Sequence, residues 1–117
     1  KDNAQGIIED NLVSNNSEAG IALHDFSSPV VRLNQCTGNG FSGIILSNSS
    51  QGAIENNIST NNAQSGIAIF ENATGVIKNN QFTNNAHWGI FIIDSANPVF
   101  ENNQIYDNAK GAMKDRR

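Results

Sequence analysis

Short apolar segments recur along the chain as a Gly-apolar-x-apolar unit: Gly20-Ile21-Ala22-Leu23, Gly43-Ile44-Ile45-Leu46, Gly66-Ile67-Ala68-Ile69 and Gly89-Ile90-Phe91-Ile92, then weakly as Gly111-Ala112-Met113. Successive glycines are 23, 23, 23 and 22 residues apart. In this register Ile8, Val31, Ile54, Ile77 and Phe100 form one apolar column, and Val13, Cys36, Phe82 and Ile105 form another. Ser59 interrupts the second column, where Ile58 is expected to substitute from one place earlier. Gly6, Pro29, Gly52, Gly75 and Pro98 share a column through which no helix could continue.

A fixed period of this length admits helical solenoids, leucine-rich repeats and β-solenoids. Segment length decides between them, because no segment is long enough for a helix and apolar residues alternate at period two. Each repeat reads as a strand at Gly-Ile-x-Ile, a turn, a strand around Val76-Ile77-Lys78, an Asn turn and a short strand around Phe82. The expectation is one all-β domain over 1–117, a parallel β-solenoid of about five coils of 22–23 residues with three short strands each. Coils stacked about 4.8 Å apart set equivalent residues above one another, so each column becomes a ladder.

Two of those columns are polar. Asn11, Asn34, Asn57, Asn80 and Asn103 form the first, and Asn16, Asn39, Asn62, Asn85 and Asn108 the second. An inward Asn at a tight turn can donate to and accept from the amides above and below it, satisfying groups that the core would otherwise orphan. This accounts for much of an unusual composition, twenty Asn in 117 residues, without any ligand. Beside the Ile8 column runs Glu9, Arg32, Glu55, Lys78 and Glu101, alternating in sign at every step, as an outward structural column would.

Composition then narrows the function classes. A net charge of −4 offers no basic surface for phosphates, so nucleic acid is not an expected partner. No apolar run approaches the roughly 18 residues of a membrane span. Cys36 stands alone, which excludes an internal disulfide and a Cys-based zinc cluster, and its column predicts a buried, inert thiol. The chain opens on Lys1 without a charged-then-apolar leader, as a mature or excised piece, or one lacking a signal peptide, would. Four N-x-Ser/Thr sequons, at Asn15, Asn48, Asn57 and Asn72, follow from the abundance of Asn and Ser.

The run Ile77-Lys78-Asn79-Asn80-Gln81-Phe82-Thr83-Asn84-Asn85, after a Gly-Ile-x-Ile strand, resembles the repeats of right-handed, pectate-lyase-like parallel β-helices of the carbohydrate-binding and sugar-hydrolase type. The resemblance covers nearly the whole chain. It implies a right-handed coil and favours an extracellular or periplasmic protein. It points to no single function, since similar repeats serve polysaccharide lyases, epimerases, hydrolases and non-catalytic domains. Enzymes of this architecture have longer helices, so the resemblance implies a fragment or a small relative.

Candidate chemistry lies on outward columns. With the flanking Ile residues inward, the Gly-Ile strands direct Ala22, Ile45, Ala68 and Phe91 outward, and His24, Ser47, Phe70 and Ile93 beyond them. Phe70, Phe91, Ile93 and Trp88 are expected to form an apolar, aromatic patch that binds a ligand; aromatic faces stack on sugar rings, and a dimer interface or a face covered by a missing segment would use the same patch. Asp2, Asp25, Asn48, Glu71 and Asp94 form a column at the strand end. Stacked carboxylates there, Glu71 and Asp94 above all, are candidate Ca²⁺ ligands, although no cofactor is required; the turn position alone also favours Asp and Asn. His24, Asp25, Glu71 and Asp94 are the candidate acid or base groups if the chain is an enzyme acting on uronic-acid glycans. His87 reads as solvated or part of the aromatic patch. A column of Ser14, Thr37, Thr60, Thr83 and Tyr106 lacks the paired Thr array of ice-binding solenoids.

Open strand edges at the two ends favour either a piece of a longer solenoid or self-association through the ends or the patch. At the last coil Lys114 is expected to replace an inward aliphatic. The reading is a rigid β-helical binding or scaffold module for an extended polysaccharide or a protein partner. The alternatives are a small polysaccharide lyase, epimerase or hydrolase, and a purely structural repeat.

Overall fold

Three-residue apolar alternations separated by Asn and Gly turns form short strands, since each is long enough to cover one side of a narrow core and no more. A computed structural model describes residues 5–117, which leaves Asp2 outside the described residues. In chain order the strands are β1 (Ile7–Glu9), β2 (Leu12–Ser14), β3 (Ile21–Leu23), β4 (Val30–Arg32), β5 (Gln35–Thr37), β6 (Ile44–Leu46), β7 (Ala53–Glu55) and β8 (Ile58–Thr60). There follow β9 (Ile67–Ile69), β10 (Val76–Lys78), β11 (Gln81–Thr83), β12 (Trp88–Ile93), β13 (Val99–Glu101), β14 (Gln104–Tyr106) and β15 (Gly111–Arg116). They assemble into three parallel five-stranded sheets, β1-β4-β7-β10-β13, β2-β5-β8-β11-β14 and β3-β6-β9-β12-β15. This is the expected β-solenoid of three strands per coil.

The core is the stack of inward columns. Val31, Ile54 and Ile77 from the first sheet, Cys36 and Phe82 from the second, and Ile44, Leu46, Ile67, Ile69, Ile90 and Ile92 from the third are all fully buried. At one corner Ser27, Ser50, Ala73 and Ala96 supply small inward residues where the chain turns sharply.

Both Asn ladders form. In the first, Asn11, Asn34, Asn57 and Asn80 each donate from Nδ2 to Oδ1 of the Asn one coil on, at 3.0–3.1 Å. The backbone N–H of each also donates to that oxygen, and Nδ2 of Asn34, Asn57, Asn80 and Asn103 donates to a carbonyl of the preceding coil. The second ladder repeats the pattern from Asn16 to Asn108. Buried amides thus have both donors and the acceptor oxygen engaged, which makes a polar column tolerable inside an apolar core.

The residue before each ladder Asn explains the Asn-Asn pairs. Asp10, Leu33, Asn56, Asn79 and Asn102 precede the first ladder and all have left-handed φ of 53–58°. Asn15, Asn61, Asn84 and Asp107 do the same before the second, joined by Gly38. Asn and Asp accept this conformation at less cost than other L-residues, so one Asn turns the chain and the next fills the ladder.

Three local expectations are corrected. The last coil keeps the 23-residue register: Trp88 pairs with Gly111 and Ile90 with Met113, so Ala112 and not Gly111 occupies the glycine column. Lys114 consequently pairs with Phe91 on the outward face, while Asp115 takes the position opposite inward Ile92. Ser59 keeps its inward place, fully buried, with Oγ donating to the Gly66 carbonyl at 2.7 Å and accepting from Asn62 Nδ2 at 3.1 Å. Ile58 is therefore not its substitute and pairs with Gln35 and Gln81.

The alternating charges sit in one register column, with Arg32 Nε 2.6 Å from Glu9 and Lys78 Nζ 3.7 Å from Glu55. Both pairs are exposed enough for solvent screening to leave them little stabilising weight. Thr83 is 6% exposed and hydrogen-bonds Thr60, so the Thr column presents no flat open array.

Candidate binding cleft

The third sheet does not present its outer columns flat to solvent. Ile45 and Ala68 are only 7% and 2% exposed. Residues of the turns before these strands, Glu18, Phe41, Gln64 and His87, line pockets together with the outer face of the sheet. Over the C-terminal coils this lining forms a cleft of 440 Å³, floored by Ala68 and Phe91 and walled by Phe41, Gln64, His87 and Trp88. Phe70 closes the other side, its ring 6.2 Å from that of Phe91 at an interplanar angle of 63°. This is an edge-to-face contact, the arrangement that aromatic quadrupoles favour.

Trp88 is positioned by the residue one coil on. A Cβ on Gly111 would lie 2.8 Å from the Trp88 ring, so the ring rests against the Gly111 backbone and would have to shift for a larger residue. Gly111 also has φ of 134°, a conformation L side chains rarely adopt. Lys114 Nζ lies 5.8 Å from the centroid of the same ring, a cation–π contact. The rings are half-buried while Lys110, Lys114 and Arg116, which also line the cleft, are exposed.

Towards the N-terminal coils a second, more open pocket is lined by Glu18, Ala22, His24 and Ile45, with Phe41 bordering both. The two pockets lie on the same outer face of the third sheet, an arrangement that suits an elongated ligand better than a compact one.

Of the sequence-predicted ligand residues, Trp88, Phe91 and Phe70 come together in the cleft. Ile93, half-buried in the column of Phe70, lies beside it without lining it. The acidic column is a backbone feature: Asp25, Asn48, Glu71 and Asp94 all have left-handed φ of 57–66°. Its members bond along the column, Asn48 Nδ2 to Asp25 Oδ1 at 2.9 Å and the Glu71 N–H to Asp94 Oδ2 at 3.1 Å. None of the four lines either pocket. His24 Nδ1 is 2.6 Å from Ser47 Oγ, a partner one coil away, but Ser47 is 6% exposed and does not line either pocket. Cys36 is fully buried, and burial pushes its thiol up to about 12, which makes it inert.

Phe41, Gly111, Lys110, Lys114 and Arg116 were not identified from the sequence as parts of this site. The 23-residue register carries the signal, since it sets Glu18, Phe41, Gln64, His87 and Lys110 in one column. Reading the last coil at 22 sends Lys114 inward and hides it.

Among known families, the one described as the right handed beta helix region matches residues 1–114. Neither a curated protein nor a solved structure matches the chain.

Proposed function

Because the chain belongs to the right-handed β-helix family, and is a rigid β-helical module by its fold, we propose that it is a non-catalytic binding module that holds an extended polysaccharide along the outer face of its third sheet. The observation that carries the reading is the cleft itself, whose lining brings Trp88, Phe91 and Phe70 together. Sugar rings have apolar C–H faces that pack on such rings while their hydroxyls stay hydrated. A β-solenoid suits this task because its floor moves little on binding, so little ordering cost is charged against affinity.

A glycan array with the purified chain, its Phe91→Ala and Trp88→Ala variants, and a parallel assay for glycan breakdown tests this. Binding that both variants abolish, with no turnover, is expected. Binding that survives both substitutions, or turnover of a bound glycan, overturns the reading.

A further inference from the structure

The basic residues of this acidic chain divide sharply by place. Arg32 pairs with Glu9, Lys78 with Glu55, and Arg117 with Asp115, whose carboxyl is held down at about 2 by hydrogen bonds from Arg117. The other basic side chains among the described residues are Lys110, Lys114 and Arg116, none of them in an ion pair there, and all three line the cleft. They lie on the last coil, where strand pairing sets Lys114 beside Phe91 and Arg116 beside Ile93. The second pocket carries Glu18.

Resting on the polysaccharide reading above, we infer that the ligand is an acidic glycan, and that Lys110, Lys114 and Arg116 are the residues that read its carboxylate or sulfate groups. A protein of net charge −4 repels such a chain in general. Three uncompensated cations lining an aromatic cleft therefore set both where it binds and which way round. The aromatic rings hold the sugar while the cations form charge-assisted bonds to the acidic substituents, bidentate where Arg116 meets a planar carboxylate. A neutral chain leaves the cations unmatched and gains only the stacking. Carboxylate and sulfate share this chemistry, so separate probes must distinguish them.

Trp88 is the chain's single tryptophan, so its fluorescence reports the cleft directly. The experiment titrates the intact chain with an oligouronate, a sulfated oligosaccharide, a neutral oligosaccharide of equal length and a poly-glutamate peptide, at low and high salt. One or both acidic sugars are expected to bind at least roughly tenfold more tightly than the neutral one, with that preference falling as salt rises. The double variant Lys114→Gln/Arg116→Gln removes the preference. The double variant Arg32→Gln/Lys78→Gln changes net charge equally but lies outside the cleft, and it leaves the preference intact. Circular dichroism confirms that each variant is folded.

Equal binding of neutral and acidic sugars, or a preference unchanged in Lys114→Gln/Arg116→Gln or equally lost in Arg32→Gln/Lys78→Gln, overturns this inference and leaves the polysaccharide reading standing. Binding of poly-glutamate alone, or of no probe at all, overturns both.

Discussion

Asn57 Nδ2 donates to Asn80 Oδ1 across 3.0 Å, and the two residues are 1% and 0% exposed. The same oxygen accepts the Asn57 backbone N–H, and Asn80 Nδ2 donates in turn to the Ile54 carbonyl and to Asn103. Removing the Asn80 amide takes a partner from Asn57 and Ile54 on the preceding coil and from Asn103 on the following one. Asn80→Ala is expected to cost about 3 kcal/mol or more, each buried orphan contributing roughly 1–3 kcal/mol. At the exposed end of the other ladder, Asn16→Ala should cost less than about 1 kcal/mol, because water replaces the lost partner. Urea denaturation of both variants checks the contrast, and equal losses would contradict the ladder's role.

Leu33 occupies a left-handed turn position, φ 57°, in the column otherwise held by Asp10, Asn56, Asn79 and Asn102. Its side chain is 52% exposed, so little packing offsets the backbone cost. Leu33→Asn is expected to stabilise the chain by about 1 kcal/mol, within the 1–2 kcal/mol range of the left-handed penalty. A higher urea midpoint at unchanged slope is the confirming result.

Ser50 Oγ is fully buried and has no hydrogen-bond partner, whereas Ser27 in the same corner column donates to the His24 carbonyl at 2.9 Å. Ala73 and Ala96 already fill the next two coils of that column without a hydroxyl. Ser50→Ala should therefore raise stability by about 1 kcal/mol, the low end of the cost of an unsatisfied buried hydroxyl. Thermal melts would show this as a rise in Tm, and a fall would mean that the hydroxyl is satisfied in solution.

Burial raises the Cys36 thiol from 9.0 to about 12. Above pH 9 the unfolded chain loses this proton first, so it binds fewer protons than the folded chain and stability falls as pH rises from about 9 towards 12. Below pH 9 the thiol contributes no pH dependence. Cys36→Val, which matches Val13 in the same column, should flatten this alkaline limb while leaving neutral stability within about 1.5 kcal/mol. Denaturation curves at pH 7.5 and 10 compare the two proteins. In native protein at neutral pH the thiol should also resist a maleimide until urea opens the coil.

Much of this architecture was legible because repetition turns a weak local pattern into a strong one. Two Asn columns, the inward aliphatics and the sign-alternating Glu9–Lys78 column all reappear as contacts between coils. The last coil was less legible for a specific reason. Gly111 looks like the fifth member of the glycine column, but its role is to seat the Trp88 ring, and Ala112 stands where glycine was expected. Since strand side chains alternate faces, a slip of one residue reversed Lys114 from outward to inward. Ser59 misled in another way: a polar residue in an apolar column looked like a gap, whereas the Gly66 carbonyl gives its hydroxyl a buried acceptor. The pairing of His24 with Ser47 joins residues 23 apart on adjacent coils, visible only once the register is fixed. The Glu18, Phe41, Gln64, His87 and Lys110 column holds five different residue types, so nothing in its composition marks it as a lining.

Every rung of the Asn ladders faces the same way, Nδ2 towards the following coil and Oδ1 towards the preceding one. Aligned amides behave as a line of small permanent dipoles whose moments add along the solenoid axis, as peptide dipoles add in a helix. Their positive pole points towards the coil that bears Lys110, Lys114 and Arg116, and their negative pole towards the coil of Glu18. Ladders and surface charges therefore polarise the molecule in one sense. In an electric field the molecule aligns with a preferred head and tail, and dielectric relaxation would register that permanent moment even with no ligand bound.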